Sequence, residues 1–170
     1  MAARPDPEVG YRRPGDHRRA DGIVERRVFV QASPRVVWAT LHDPATLDRI
    51  MPEVTFEGAE PSWPAAATTR TGRARLGLLR ERARAESLEA RPDAVFRMRL
   101  TGTGFHSEWS WRLEAVAGGT RVLHTGLLEP SDRWASVLVR LGGATLEQRV
   151  EAHLRAVKEL AEASARSTAG

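Results

Sequence analysis

Residues 28–44 read VFVQASPRVVWATLHDP, a strand that turns directly into a short helix. Ser33 can accept hydrogen bonds from the free amides of the first helical turn. Pro34 follows at a position where a missing amide hydrogen costs nothing, because that amide has no partner inside the helix. The Asp43-Pro44 step ends the helix, since a proline restricts the residue before it to extended backbone. The segment therefore predicts a strand followed at once by a capped helix, whose apolar face carries Val37, Trp38 and Leu41.

Downstream of this segment the sequence alternates with a period of two, which is typical of strands, and then changes to a helical period. The predicted helices cover residues 34–41 and 44–51. The predicted strands cover residues 23–31, 54–60, 69–77, 79–90, 95–103, 105–116 and 120–128. Pro61 and Pro64 stand too close together for a sheet ladder, so this stretch is predicted to be a loop. One strand, two small helices, a strand meander and a terminal helix indicate an α+β fold that encloses a cavity.

The C-terminal part is predicted to be helical from Ser131 onward, with a kink or a break at Gly142-Gly143. Its apolar residues form two stripes that have to be buried against the sheet. One stripe comprises Leu146, Val150, Leu154, Val157 and Ala161, and the other comprises Trp134, Leu138 and Leu141.

The predicted inward face of the strand meander carries side chains of very unequal size. Small residues occupy one half of it: Gly72, Ala74, Ala83, Ala85 and Ser87. Large residues occupy the other half: Phe96, Met98, Phe105, Trp109 and Trp111. Because protein interiors pack densely, the space above the small residues is filled either by close contact with the terminal helix or by a bound ligand. Periodicity alone leaves both explanations open.

The chain has 170 residues, which is enough for one domain with a real core, and it has no cysteine. Disulfides, thiol nucleophiles and cysteine metal sites are therefore excluded. Residues 1–22 are rich in Pro, Gly, Arg and Asp and are predicted to be a disordered tail, followed by the domain at 23–163 and a flexible C-terminus at 164–170. No apolar segment resembles a membrane span or a secretory signal, so the sequence predicts a cytoplasmic protein.

The formal net charge of +4 raises the question of a nucleic-acid partner. Residues 68–100 carry nine arginines against four acidic residues, so the basic excess lies in the predicted sheet. The arginines alternate with apolar or small residues, which places them on the solvent face beside cross-strand glutamates. This spacing favours a solvated sheet face, and no nucleic-acid partner is expected. A protein partner on the basic face and a homodimer are both left open.

The chain resembles the START-like SRPBCC superfamily, which includes polyketide cyclases, lipid-transfer domains and the birch-pollen-allergen proteins. The resemblance is carried by Ala32-Ser33-Pro34, Val37-Trp38, Asp43-Pro44 and the Gly118-Gly119-Thr120-Arg121-Val122 hairpin. Over residues 23–163 the chain is most similar to the polyketide cyclase/dehydrase and lipid transport branch. This resemblance implies a helix-grip fold, in which a seven-stranded antiparallel sheet wraps around a long C-terminal helix with a hydrophobic cavity between them.

The resemblance also implies a hydrophobic or aromatic small molecule as the partner in that cavity, with no cofactor. The side chains predicted to contact it are Trp38, Leu76, Ser87, Phe96, Met98, Phe105, Ser107, Trp109 and Trp111. One alternative is an enzyme of the polyketide cyclase/dehydratase type, in which the cavity restrains a reactive chain. Another is an accessory subunit, because Val37-Trp38-Ala39, Asp43-Pro44 and Ile50-Met51-Pro52 also look like the carbon monoxide dehydrogenase accessory subunits of the same superfamily.

His124 is the residue predicted to be catalytic, because the period of two that turns Val122 inward also turns His124 inward. A histidine there could act as a general base or orient a carbonyl, and a hydrogen-bonded core histidine is the alternative. The histidines are scattered along the chain without metal-ligand spacing, so no metal site is predicted. His42 and Asp43 are adjacent on a helix and do not face each other, which argues against a dyad.

Overall fold

The computed structural model describes residues 22–58, 65, 67–141 and 143–168. Within these residues, seven strands form one antiparallel sheet in the order β1-β7-β6-β5-β4-β3-β2. The strands are β1 (Ile23–Val30), β2 (Val54–Phe56), β3 (Thr69–Leu76), β4 (Leu79–Arg91), β5 (Val95–Thr101), β6 (Phe105–Val116) and β7 (Gly119–Pro130). The helices are α1 (Pro34–His42), α2 (Pro44–Ile50), α3 (Arg133–Arg140) and α4 (Leu146–Thr168). The order of elements and the sheet confirm the predicted α+β helix-grip architecture.

The segment between β1 and α2 folds as its sequence predicts. The Ser33 hydroxyl accepts the amide of Val36 at 3.4 Å, and Pro34 is the first residue of α1. Asp43 ends α1 and also caps α2, since its carboxylate accepts the amide of Ala45 at 3.0 Å. Two short helices are therefore joined at a single residue, which directs the chain across one end of the sheet.

Helix α4 lies on the concave face of the sheet and buries the stripe predicted for it. Val150, Leu154, Val157 and Ala161 are all buried, and α4 packs against β1, β7, α1 and α2. The helix lies directly on the sheet at Gly126 of β7, where an added Cβ would lie 2.7 Å from the Trp109 ring and 2.9 Å from Val150. A glycine is needed there because α4 and the sheet leave no room for a methyl group.

The predicted break after α3 is confirmed, but the predicted apolar stripe of α3 is wrong. Ala135 and Val139 are the buried residues of this helix, whereas Trp134 is 71% exposed and Leu141 is 50% exposed. The rotation of α3 is set by its end, because the Leu138 carbonyl accepts the amide of Leu78 in the β3–β4 turn at 2.9 Å. A contact with a distant part of the chain, and not the helical period, therefore decides which face of α3 is buried.

The outer face of the sheet differs from the prediction in one place. On β5 the arginines do find glutamates, as with Arg99 and Glu108 at 2.8 Å. On the β3–β4 hairpin Arg73 also pairs with Glu57 at 3.1 Å, but the register places arginines opposite each other in the pairs Arg73–Arg82 and Arg75–Arg80. The alternation predicted the face of these side chains correctly, but the register of the hairpin decided their partners.

Several predicted boundaries shift or fall outside the described residues. β2 is shorter than predicted because Gly58 takes φ +74 and turns the chain away. Helix α4 continues to Thr168, beyond the predicted domain boundary at 163. The predicted tail up to residue 21 and the predicted Pro61–Pro64 loop lie outside the described residues. In the part of the chain that is described, no helix combines the length and apolarity required to span a bilayer.

Candidate acid–base site

Three titratable side chains from distant parts of the chain form a hydrogen-bonded row beneath α4. Glu53 comes from the segment between α2 and β2, His153 from α4, and His124 from β7. The Glu53 Oε1 atom lies 2.7 Å from His153 Nε2, and His153 Nδ1 lies 3.1 Å from His124 Nε2. His124 Nδ1 then lies 3.0 Å from the Ser110 carbonyl oxygen. We call Glu53, His153 and His124 the relay.

Local sequence explains why the two histidines of the relay point inward, and a backbone contact with β3 holds Glu53. His124 follows Val122 by two residues on β7, so both face α4. His153 lies on the apolar stripe of α4, three residues after Val150. Glu53 is held by its backbone, because its carbonyl oxygen accepts the amide of Arg75 at 2.8 Å. The three side chains are 7% (Glu53), 1% (His153) and 0% (His124) exposed, so the relay is buried throughout.

The direction of the hydrogen bonds determines how many protons the relay holds. The Ser110 carbonyl can only accept, so His124 donates from Nδ1 and, as a neutral ring, accepts at Nε2. His153 must then donate from Nδ1, which leaves its Nε2 facing Glu53. One proton is shared on that last contact, and it can reside on His153 as an imidazolium or on Glu53 as a carboxylic acid. Both states satisfy every hydrogen bond in the row.

The electrostatics of the row agree with this assignment. Burial, and secondly the nearby charge of His153, lower the pKa of His124 to about 3 against the opposing hydrogen bond to Ser110. Burial alone would raise the pKa of Glu53, but the hydrogen bond and charge of His153 and the charge of Arg149 hold it below its ordinary value. His124 is therefore the neutral end of the row and Glu53 the anionic end.

An aromatic wall surrounds the inner end of the relay. Trp111 stacks on the His124 ring with centroids 4.4 Å apart, and Trp109 lies 4.9 Å from the His153 ring. Trp109 also donates from Nε1 to the Ser107 hydroxyl at 3.1 Å. These rings exclude water from the imidazoles, which is the physical cause of the low His124 pKa.

The residues predicted to contact a ligand all belong to this interior. Those that are buried are Leu76, Ser87, Phe96, Met98, Phe105, Ser107, Trp109 and Trp111, while Trp38 is half-buried. They face inward as expected, but none of them lines the surface cleft beside Glu53. Their role in binding a ligand stays a prediction.

Two buried nitrogen atoms near Phe96 have no hydrogen-bond partner among the described residues: Trp111 Nε1 and His42 Nε2. The Phe96 ring lies 5.5 Å from the Trp111 ring and 5.0 Å from the His42 ring. His42 Nδ1 lies 2.8 Å from the Trp38 carbonyl, to which it donates, so Nε2 is left as an acceptor. A buried donor and a buried acceptor without partners indicate a place for a polar group of a ligand or for water.

A cleft of about 450 Å³ opens at the Glu53 end of the relay. Its wall is formed by the β3–β4 turn, the start of α4 and the segment after α2, and Glu53 and His153 both border it. The charged residues lining it also include Arg75, Arg80 and Arg149. The shared proton of the relay therefore lies at the inner wall of a solvent-connected cleft.

Sequence reasoning found only one member of the relay. It treated the histidines as scattered, and this is corrected by the contact between His124 and His153, which are 29 residues apart. The position of His153 on the buried stripe of α4 was a usable signal, whereas Glu53, between Pro52 and Val54, carried none. His42 and Asp43 are separate as expected, since Asp43 caps α2 and His42 bonds Trp38. Among the described residues, no three His, Cys, Asp or Glu side chains are grouped to hold a metal ion.

Solved structures share this fold at low sequence identity. The Zhui aromatase/cyclase from Streptomyces sp. R1128 superposes with a TM-score of 0.67 at 20% identity, covering 87% of this chain and 98% of that chain. TTHA0849 from Thermus thermophilus gives 0.61 at 22% identity, covering 84% and 98%. Ara h 8.0201 gives 0.57 at 14% identity, covering 83% and 97%. Identities this low show a common fold and nothing finer.

The sequence itself matches one protein family along most of its length. No curated protein matches it. The family described as polyketide cyclase/dehydrase and lipid transport matches residues 22–162, which include every element from β1 to most of α4 and all three residues of the relay. The chain therefore belongs to the polyketide cyclase/dehydrase and lipid transport family of the SRPBCC superfamily.

Proposed function

We propose that this protein binds a hydrophobic or aromatic small molecule between the sheet and α4 and moves protons on it, as a cyclase/dehydratase-type enzyme. The observation that carries this proposal is the buried Glu53–His153 contact of 2.7 Å at the wall of the cleft. Burying a carboxylate and an imidazole is expensive unless they are paired, and apolar residues of similar size would often stabilise a core as well. Paired titratable groups beside a cleft are therefore a functional-site signal.

The relay supports a complete proton cycle for loss of water from a β-hydroxy carbonyl compound. Glu53 as a carboxylate takes the proton from the carbon next to the carbonyl, and His153 as an imidazolium gives its Nε2 proton to the hydroxyl that leaves as water. The carbon–oxygen bond breaks as the new carbon–carbon double bond forms. Glu53 then returns its proton to His153 across their 2.7 Å contact, which restores the starting state. Positioned acid–base groups of this kind contribute about 10²- to 10⁴-fold to a rate.

Proton exchange on a model ketone tests the proposal without knowledge of the natural substrate. The full chain is incubated with 2-tetralone in D2O, and deuterium entry at its activated methylene is followed by NMR. We expect exchange above the buffer rate, and a loss of that excess by at least about 100-fold in Glu53→Gln, which keeps an acceptor for His153 but cannot take a proton. Glu57→Gln is the matched control, because Glu57 is an exposed carboxylate paired with Arg73.

The outcome that contradicts the enzymatic proposal is equally concrete. If Glu53→Gln exchanges deuterium as fast as the wild-type protein while circular dichroism shows that it is folded, the relay is not the acid–base group. A reduction of the same size in Glu57→Gln would point to a general electrostatic effect and would equally contradict it.

Binding without chemistry is the second candidate, and the unpartnered Trp111 Nε1 and His42 Nε2 atoms favour it. A planar ligand with a hydroxyl or carbonyl group could stack among the rings and satisfy these atoms. Native mass spectrometry of the protein from its source would then show a co-purifying molecule, and 2-tetralone would bind in calorimetry without exchanging deuterium above the buffer rate.

A further inference from the structure

The arginines that line the cleft are arranged in a way that costs the fold energy. Arg75 and Arg80 stand directly opposite each other on the β3–β4 hairpin, and like charges in this position are destabilising. Both are exposed at the rim of the cleft. The acidic residue nearest along the strand, Glu81, is engaged elsewhere, because its carboxylate accepts the amide of Gly104 at 2.9 Å. Both arginines therefore line the exposed rim of the cleft and add positive charge there.

Arg149 adds a buried guanidinium group at the cleft wall. It belongs to the first turn of α4, is only 7% exposed, and its Nε atom has no hydrogen-bond partner among the described residues. A buried charged group with an unmade hydrogen bond is costly, so the free Nε atom of Arg149 needs an explanation, and a bound ligand would supply one. The partial positive charge of the α4 N-terminus adds to the field at the same place.

The charges that face the cleft do not cancel. Glu53 is the one carboxylate among its described lining residues, and it is already paired with His153. Three arginines, Arg75, Arg80 and Arg149, line the same volume of about 450 Å³. A cleft of this size lies in the ordinary range for small-molecule sites, and its excess charge is positive.

We infer that this cleft binds the anionic group, a carboxylate or a phosphate, of the molecule on which the protein acts, with Arg149 as the buried anchor and Arg75 and Arg80 as the rim. The inference rests on the proposed function for the body of the ligand, which extends inward from the cleft toward the aromatic wall. Guanidinium groups recognise carboxylates and phosphates through paired hydrogen bonds, and they do so more strongly when the site is sheltered from water. The substrate class is thus an amphipathic acid.

A matched pair of probes isolates the anionic group. Binding of 2-naphthoate and of 2-naphthamide, which have the same ring system and differ in charge, is measured by calorimetry at constant ionic strength. We expect the wild-type protein to bind the acid at least about tenfold more tightly than the amide, since a hydrogen bond to a charged group is worth that much or more. 2-Naphthyl phosphate and inorganic phosphate are measured as well, to separate phosphate from carboxylate recognition.

Substitutions of the arginines test whether the preference for the acid over the amide arises in the cleft. Arg149→Gln should abolish the preference for the acid and leave binding of the amide unchanged, while Arg149→Lys should keep part of it. Arg75→Gln with Arg80→Gln, both on the exposed rim, should reduce the preference without affecting the fold. Arg84→Gln is the control, because Arg84 lies on the same strand but outside the cleft lining.

The results distinguish a failure of this inference from a failure of the proposed function. Equal affinities for the acid and the amide, or a preference that survives Arg149→Gln, would overturn the anionic site while leaving the hydrophobic ligand in place. If neither naphthalene compound binds, the proposed ligand body is wrong. The anionic site is then tested by adding inorganic phosphate and measuring the Tm. Phosphate should raise the Tm of the wild-type protein but not that of Arg149→Gln. Equal shifts of the Tm in both proteins would refute the anionic site.

Discussion

The surroundings of His124 keep its buried ring neutral. The His124 ring donates a hydrogen bond to the Ser110 carbonyl on one side and accepts one from His153 on the other, so both ring nitrogens have partners while the ring is neutral. Trp109 and Trp111 cover its faces, and this burial opposes protonation. The catalytic role of His124 stays a prediction, and in the structure its neutral ring accepts a hydrogen bond from His153.

The burial of the neutral His124 ring predicts that the protein becomes less stable as the pH falls. The pKa of His124 is about 3 in the folded protein and 6.5 in the unfolded chain, so between these values only the unfolded chain binds the proton. Its contribution to stability is complete above pH 6.5 and is lost as the pH falls toward 3. Urea unfolding of the wild-type protein should show a slope approaching about 1.4 kcal/mol per pH unit from this residue.

The matched variants for that measurement are His124→Gln and His106→Gln. His124→Gln should remove this part of the slope between pH 5 and pH 6, a range above the one in which Glu53, the carboxylate at the other end of the relay, changes its charge. His106 lies half-buried on the outer face of β6, and its replacement should keep the slope. An unchanged slope in His124→Gln would mean that this ring is not the buried neutral group.

At the scale of elements, the position of α4 on the sheet depends on a missing side chain. Gly126 of β7 lies under Val150 of α4 and beside the Trp109 ring, so the helix reaches the sheet backbone. This contact brings His153 within hydrogen-bonding distance of His124. The small inward residues left two explanations open, a bound ligand or close contact with the terminal helix. At Gly126 the close contact with α4 is the correct one.

Gly126→Ala should therefore destabilise the fold although alanine suits a strand better than glycine. The added Cβ would lie 2.7 Å from Trp109 and 2.9 Å from Val150, and relieving such overpacking costs about 1–3 kcal/mol. The free energy of unfolding in urea measures this loss. Gly104→Ala is the control, since its Cβ would first meet the Leu79 side chain at 3.2 Å, and it should change stability by less than about 1 kcal/mol. Similar effects of both variants would contradict the close packing of α4 on the sheet.

At the scale of the whole molecule, the site exists only because three distant regions meet. Glu53 and His153 are 100 residues apart in sequence, and their contact joins the segment after α2 to the middle of α4. The β3–β4 turn completes the cleft by docking on α3 through Leu78 and Leu138. The proposed sites of proton transfer and ligand recognition thus lie at the junction of the helices with one end of the sheet.

Replacing Glu53 should accordingly lower the free energy of unfolding of the whole protein. Glu53→Ala leaves the buried His153 imidazole without its carboxylate, and breaking a buried pair costs roughly 3–5 kcal/mol. Glu57→Ala removes an exposed carboxylate paired with Arg73 and should cost at most about 1 kcal/mol. Urea unfolding followed by circular dichroism compares the two. Equal losses would show that the Glu53–His153 pair contributes no more than a surface ion pair.

Local sequence was enough to predict the order of elements, the Ser33-Pro34 start and the Asp43-Pro44 end of α1, the inward face of the strand meander and the buried stripe of α4. These features depend on neighbours one to four residues apart, where capping chemistry and side-chain periodicity act directly. The rotation of α3, the arginine pairs of the β3–β4 hairpin and the row from Glu53 through His153 to His124 could not be predicted in this way. They depend on strand register and on how closely α4 packs over Gly126, and both are set by contacts between residues far apart in the chain.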